Sequence, residues 1–437
     1  MKGILKYIGV FSATLALLIL LLVLSCTIPQ KKIYENSRLS AEFMTKNETD
    51  FYNPLLSEEK FVIHNYADAI WLSIAYSIDS EHPLKSALEG KYYNEFGDRL
   101  YNINFYRDTI EQNKEANTEY YRYWHGTILF LRPLLTKFTY MDIRYMNVLL
   151  LTGLCFALII LLQQKLGMRA AVIFAAAIVS VGFYAVPYCI EYVPMFYIMF
   201  ISSIAVLFLK DKKKIPYLFL ITGICSNFFD FLTVETITLC VPLVLHFYEL
   251  HRKGDIKDFK SSLKYFIKLC TLWLGGYLFT WMSKWLIASI VLRKNVMTNV
   301  MESVSQRTVG KVQETPLLKQ LTYALIYNIR GMFPFNLTKS TTGTVILFLA
   351  VLFVLFAVWF LYRKKKLEEV SKIFLIIACI PYLRYLVMSN HSYAHYWFTF
   401  RAQISSIMAV LLAVTVNIDK DLLKKEVKLK LLGRNPK

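Results

Sequence analysis

Long apolar runs recur along the chain, and nearly all of its charges fall in the connections between them. A helix that crosses the hydrocarbon core of a bilayer needs about 20 mostly apolar residues. Ten segments meet or approach that length, at 5–28, 144–162, 169–187, 193–209, 215–229, 233–249, 264–291, 342–362, 371–388 and 401–418. Backbone polar groups in lipid must be satisfied within their own segment, so each run is expected to be an α-helix. The fifth and sixth runs are short and form a tight pair. Apolar residues reach 56% and charged residues only 19%, a balance that excludes a disordered chain, a disulfide scaffold and a soluble multidomain enzyme. All seven cysteines lie in or at the edge of apolar runs, where they act as small hydrophobes. The expected class is an all-α polytopic membrane protein.

Lys and Arg set the orientation. With the N-terminus in the cytoplasm, the inner connections carry Lys165 and Arg169, then Lys210, Lys212, Lys213 and Lys214. Arg252, Lys253, Lys257 and Lys260 follow, then Arg363, Lys364, Lys365, Lys366 and Lys372, and the tail at 419–437 is basic as well. The short outer loops at 188–192, 229–235 and 389–400 contain neither Lys nor Arg. Both termini are therefore expected in the cytoplasm of a multi-pass cell-membrane protein, with 29–143 and 292–341 outside. The formal charge of +19 sits beside the spans, so it points to anionic lipids and not to nucleic acid. Val23–Cys26 faintly resembles a lipoprotein cleavage site, but Leu24 fits it poorly and the run exceeds an ordinary signal core, so an uncleaved span is expected.

The first outer loop is rich in Tyr, Asn and acidic residues and is expected to carry two helices lying along the membrane surface. One is Ala67–Ile78, with Ile70, Trp71, Ile74 and Ser77 on one face. The other is Trp124–Phe138, interrupted by Arg132, Pro133 and Lys137. The second outer loop is polar, with a helix-like stretch at Leu318–Ile329.

Ionisable groups at or inside span ends are costly and point to function. The outer ends carry Glu191, Asp230, Glu235, Lys284, Arg384, His391, His395 and Arg401, and the first loop adds Asp68, Asp79, Asp98, Arg122 and His125. Their concentration on one side suggests a cavity open to the outside. Each also has a plain structural reading. Asp230 suits a helix cap, Glu191 a solvated turn, and Lys284 between Trp281 and Trp285 a snorkelling cation. Asn390–His395 reads as a turn; no acid is interleaved, so its two histidines suit substrate or phosphate hydrogen bonding better than a metal. Arg384 lies deeper, beside Pro381, and suits a phosphate. Asp79 and Asp98 read as solvated turns. No Walker A, GxGxxG, GxSxG or HExxH motif is present, and nothing in the sequence calls for a cofactor or a metal.

The order of features resembles a known superfamily. A first span and a long outer loop lead to Tyr121-Arg122-Tyr123-Trp124-His125-Gly126, an amphipathic Thr127–Phe138 and a span at Arg144–Gln163. Lys165-Leu166-Gly167-Met168-Arg169 and a small-residue Ala170–Ala177 span follow. This arrangement is similar to the membrane-embedded GT-C glycosyltransferases, such as protein O-mannosyltransferases and aminoarabinose transferases, over roughly residues 1–250. The resemblance implies a polyprenyl-phosphate-linked sugar as donor, a glycan or glycolipid acceptor, and an acidic residue in the first outer loop near the reacting sugar. The acidic pair usual after span one is absent from Cys26–Lys32, which makes Asp68 the first choice of base and Asp230 the second. Lys284, Arg384 and Arg401 would hold the anionic leaving group, and Arg122, His125, Glu191, His391 and His395 would contact substrate. A surface-polysaccharide polymerase or flippase-like protein, and a non-enzymatic membrane partner, remain as alternatives.

Overall fold

The computed structural model describes residues 2–52, 62–95, 101–308, 315–333, 340–419 and 421–422; Asp98 and most of the basic tail lie outside the described residues. The described residues are mostly helical, with very little strand. In order come α1 (Lys2–Cys26), α2 (Tyr34–Asn47), α3 (Asn65–Tyr76), α4 (Pro83–Glu89), α5 (Asn102–Glu111), α6 (Ile128–Leu135) and α7 (Tyr140–Leu166). Then follow α8 (Met168–Ser180), α9 (Val193–Phe208), α10 (Ile215–Phe229), α11 (Ile237–Arg252), α12 (Phe259–Leu292) and α13 (Val296–Thr308). The last are α14 (Leu317–Arg330), α15 (Thr341–Tyr362), α16 (Glu369–Val387), α17 (Ser389–Ala394), α18 (Tyr396–Thr399) and α19 (Gln403–Val416). Between α2 and α3, Phe51–Tyr52 (β1) pairs antiparallel with Ile63–His64 (β2).

Every one of the ten apolar runs is helical over most of its length. Among the described residues, five helices are long and apolar enough to cross a membrane: Gly3–Cys26, Tyr140–Leu166, Thr341–Tyr362, Glu369–Val387 and Tyr396–Val416. Others are shorter than the runs that predict them. α8 has 13 residues, about 20 Å of helix against a hydrocarbon core of about 30 Å. The run at 169–187 loses its end at Gly182, whose φ of 66° breaks the helix before a 3₁₀ turn at Phe183–Tyr188. α11 begins only at Ile237, because residues 230–236 form a turn.

The chain divides into two compact units. The first comprises Met1–Leu158, Gly182–Leu239 and Lys268–Gly310. Its core gathers Leu15 and Leu22 of α1, Trp71 and Ile74 of α3, Tyr106 and Ile110 of α5, and Ile128 and Leu131 of α6. Here the expectation for 67–78 is overturned. All but one of the α3 residues are buried, so the helix sits inside the unit and does not lie along a surface with one face free. Ala69, Leu72, Ser73 and Tyr76 occupy the side away from Ile70, Trp71 and Ile74, and a helix without a charged face is an interior helix. The surface-type helix of this region is α2, which buries Ser37, Ser40, Ala41 and Met44 at helical spacing and packs on α5. α6 keeps the expected one-sided character, with Phe130 exposed and Leu131 buried. Its Arg132 is fully buried and donates to the carbonyls of Ser25, Ile28 and Ala75, so one guanidinium serves the ends of both α1 and α3.

The second unit comprises Ile159–Val181, Cys240–Ile267 and Lys311–Lys437. α19 packs along α16 and against α8, and α14 covers α16 and α17. The helix expected at Leu318–Ile329 is α14, and its buried stripe is Gln320, Ala324 and Asn328. Gln320 donates to Ser389 Oγ, and Asn328 donates to the Ser392 carbonyl and accepts from Thr399 Oγ1, so a polar seam holds α14 in place.

Candidate functional site

In the first unit the segment at 120–126 is held from two sides. Thr280, Trp281, Lys284 and Trp285 recur at helical spacing along α12. The Thr280 carbonyl accepts from Trp124 Nε1 at 2.8 Å, while Trp281 and Trp285 donate their indole N–H groups to the Arg122 carbonyl at 2.9 and 3.2 Å. From the other side the Gly126 amide donates to the Phe228 carbonyl at the end of α10, 3.0 Å away. A side chain at Gly126 would collide with the Phe228 ring and carbonyl, so only glycine allows this approach.

The grip places an aromatic cage around His125. Phe231 stacks on Trp71 at 4.0 Å between ring centroids and lies 4.9 Å from Tyr123, 5.4 Å from Tyr120 and 5.3 Å from His125. Tyr123 stacks on Trp281 at 6.1 Å. His125 is buried with φ of 54°, a left-handed conformation that a bulky residue rarely takes. Its Nε2 lies 2.5 Å from the Tyr120 carbonyl, and a Cβ at Gly90 would sit 2.5 Å from that same nitrogen. Only Nε2–H can donate to a carbonyl, so Nδ1 carries the lone pair; among the described residues it has no partner. Burial, then the positive charges of Lys284 and Arg122, hold this imidazole down at about 3, so it is neutral at physiological pH. Arg122 covers the Tyr120 ring at 4.9 Å and donates to Ser303 Oγ at 2.7 Å, while its Nε is buried without a partner among the described residues.

Phe231 belongs to a turn that contains two buried carboxyl groups, Asp230 and Glu235. Asp230 Oδ1 accepts from the Thr233 amide at 3.0 Å and from Thr233 Oγ1 at 2.6 Å, and Leu232 is left-handed with φ of 65°. Burial, reinforced by the Glu235 charge, pushes the Asp230 carboxyl well above the usual carboxylate range. Asp230 thus braces its turn, as a cap would, and holds its proton to higher pH than an ordinary carboxyl group.

Asp68 occupies a different place from the one its sequence context implies. It is fully buried, accepting from Tyr140 Oη and from the backbone amides of Ile190, at 3.0 Å, and Glu191, at 3.1 Å. Burial pushes its carboxyl up to about 6 despite Arg144 and these bonds. Arg144 pairs with Glu48 at 2.8 Å and donates to Asn65, extending the network. The carboxylate that was expected at a membrane surface is an internal anchor for the turn at 188–192. That turn brings Glu191 within 3.9 Å of His64 Nδ1, both side chains being nearly buried.

Lys284 also differs from its expected role. It is fully buried above the Trp124 ring, and its Nζ donates to the Leu88 and Ala87 carbonyls at 2.8 and 3.3 Å. A cation that closes the C-terminus of α4 is committed to that helix end and is not displayed to a donor phosphate. Asp79 is exposed, accepts from the Glu81 amide and pairs with His82 at 2.7 Å, as a solvated turn should.

The remaining candidates lie in the second unit. Arg384 donates to Ser392 Oγ at 3.0 Å and has His391 Nδ1 3.4 Å away. The segment expected as a turn is helical over Ser389–Ala394, so His391 and His395 meet on one face with ring centroids 4.7 Å apart. Arg401 donates to the Trp397 carbonyl at 3.2 Å and covers the Phe400 ring. Among the described residues, no three His, Cys, Asp or Glu side chains are grouped to hold a metal. Arg132, Arg144 and Glu48 are organising residues that sequence reading passed over. For the two arginines a charge between apolar neighbours was the available signal, but it does not identify a partner, and Glu48 lies in a polar stretch that gives no signal.

Compared with known protein families, characterised proteins and solved structures, the chain matches none of them.

Proposed function

We propose that this protein is a membrane glycosyltransferase of the GT-C type, moving a sugar from a polyprenyl-phosphate donor to a cell-surface glycan or glycolipid acceptor at the outer face. One observation carries the reading: an aromatic cage adjoins a turn that contains two buried, mutually repelling carboxyl groups. Aromatic rings stack well on the C–H faces of sugars. A base for a sugar hydroxyl works best when its pKa lies near the working pH, and burial beside Glu235 moves Asp230 in that direction. In this reading Asp230 accepts the acceptor proton, the half-buried Tyr120, Phe231 and Trp281 hold the sugar, and Arg122 compensates charge growing on the leaving phosphate. Asp68 becomes a positioning residue. Displacement assisted by a single base inverts the anomeric centre. A topology of ten spans, with both termini in the cytoplasm and 29–143 and 292–341 outside, belongs to the same proposal and rests on the Lys and Arg asymmetry.

The test is transfer by membrane fractions supplied with labelled polyprenyl-phosphate sugars. Wild-type protein should transfer at least one of them, and Asp230→Asn should be slower by about 10²-fold or more. Absence of transfer from the whole donor panel would remove the reading. Normal transfer by Asp230→Asn would remove Asp230 as the base.

A further inference from the structure

The second unit contains a cleft of about 260 Å³ at the junction of the α11–α12 and α15–α16 connections, lined by His251, Lys257, Lys366, Glu368 and Glu369. Its charges are unevenly committed. Glu368 pairs with Lys364 at 2.6 Å and lies 3.7 Å from His251 Nδ1, and Glu369 pairs with Lys372 at 2.8 Å. Lys257 and Lys366 are exposed, and among the described residues neither has a carboxylate partner. The acids of the cleft are thus already neutralised, while two ammonium groups on its wall are not. The wall is ordered by the end of α19: Asn417 Oδ1 accepts from the Glu368 amide, and the Asn417 carbonyl accepts from the Lys364 amide, both at 2.7 Å.

The cleft lies just beyond the end of α15, a helix in which only Thr344 is buried. Phe353, Phe356 and Phe360 stand exposed along it, and Arg363 covers the Trp359 and Phe360 rings at 5.0 and 4.9 Å. An apolar helix that ends in an arginine lying on aromatic rings has the composition of the lipid headgroup zone. We propose that this cleft binds the phosphate of an anionic phospholipid, with Lys257 and Lys366 holding the headgroup and acyl chains running along α15. A basic pocket at the ends of spanning helices is suited to such headgroups. This site is independent of glycosyl transfer.

Native mass spectrometry of the full chain, titrated with phosphatidylglycerol, phosphatidylcholine or inorganic phosphate, tests it. Phosphatidylglycerol should be retained in preference to phosphatidylcholine, and Lys257→Gln and Lys366→Gln should each weaken that retention by about fivefold. Lys210→Gln or Lys213→Gln, each of which removes the same single charge from another connection, should leave it unchanged. Equal retention by the cleft variants and wild type, or equal loss in the control, would overturn the proposal. Displacement of phosphatidylglycerol by inorganic phosphate would overturn the lipid as the source of the phosphate.

Discussion

Asp68 is where single-residue chemistry bears most heavily on the fold. Tyr140 Oη and two backbone amides converge on its carboxylate, linking α3 to the turn that carries Glu191. Asn at this position offers one acceptor oxygen and turns an NH₂ group toward a donor. A buried unsatisfied donor costs about 1–3 kcal/mol. Asp68→Asn should therefore melt at lower temperature in detergent, and an unchanged midpoint would contradict the anchoring role. The same residue sets a pH dependence. Its carboxyl is raised in the folded state to about 6, above an unfolded value of about 4, so the folded protein binds the proton more tightly. This contribution to stability is complete below about pH 4 and is lost as pH rises through 6. Melting followed over that window should show a declining contribution in wild type that is absent in Asp68→Asn. For Asp230, raised by burial and by Glu235, the proposed role as base predicts a transfer rate that climbs as pH rises through the near-neutral range. A rate already flat from pH 5 upward would exclude it.

Two glycines on neighbouring helices set a close approach at the scale of the element. A Cβ at Gly223 of α10 would strike the Trp273 backbone, and a Cβ at Gly276 of α12 would lie 2.5 Å from the Leu220 carbonyl. Backbones meet this closely only where no side chain intervenes, a common device between helices in lipid. Gly276→Val should push α12 away from α10, lower the melting temperature, and loosen the grip of Trp281 and Trp285 on the Arg122 carbonyl. Near-wild-type tryptophan fluorescence and melting in Gly276→Val would refute this coupling. The helices themselves were largely legible, since α1, α7 and α15 follow directly from long apolar runs. The environment of α3 was less so. Ile70, Trp71 and Ile74 mark one buried side, whereas the opposite side mixes Leu72 and Tyr76 with Asn65, Ala69 and Ser73, small and polar residues that dilute its apolar signal although they are buried too. For the same reason the buried Ser37, Ser40 and Ala41 stripe of α2 carried little apolar signal.

For the whole molecule, the distribution of Lys and Arg predicts which connections face which side. Cysteines introduced at Lys213 and Lys365 should react with a membrane-impermeant maleimide only after cells are opened, while one at the exposed Asn113 should react on intact cells. The reverse pattern at any of the three would refute the proposed topology. Apolar runs and the approximate positions of the helices were legible in the sequence alone, because each depends on residues adjacent along the chain. The roles of charged and aromatic side chains were decided only by tertiary structure. Asp68 bonds to amides more than 120 positions away, Lys284 closes a helix nearly 200 positions earlier, and the His125 cage is assembled from Trp71, Phe231 and Trp281. A buried charge is an anchor, a cap or a base according to the donors and dielectric around it, and those come from segments brought together only by folding.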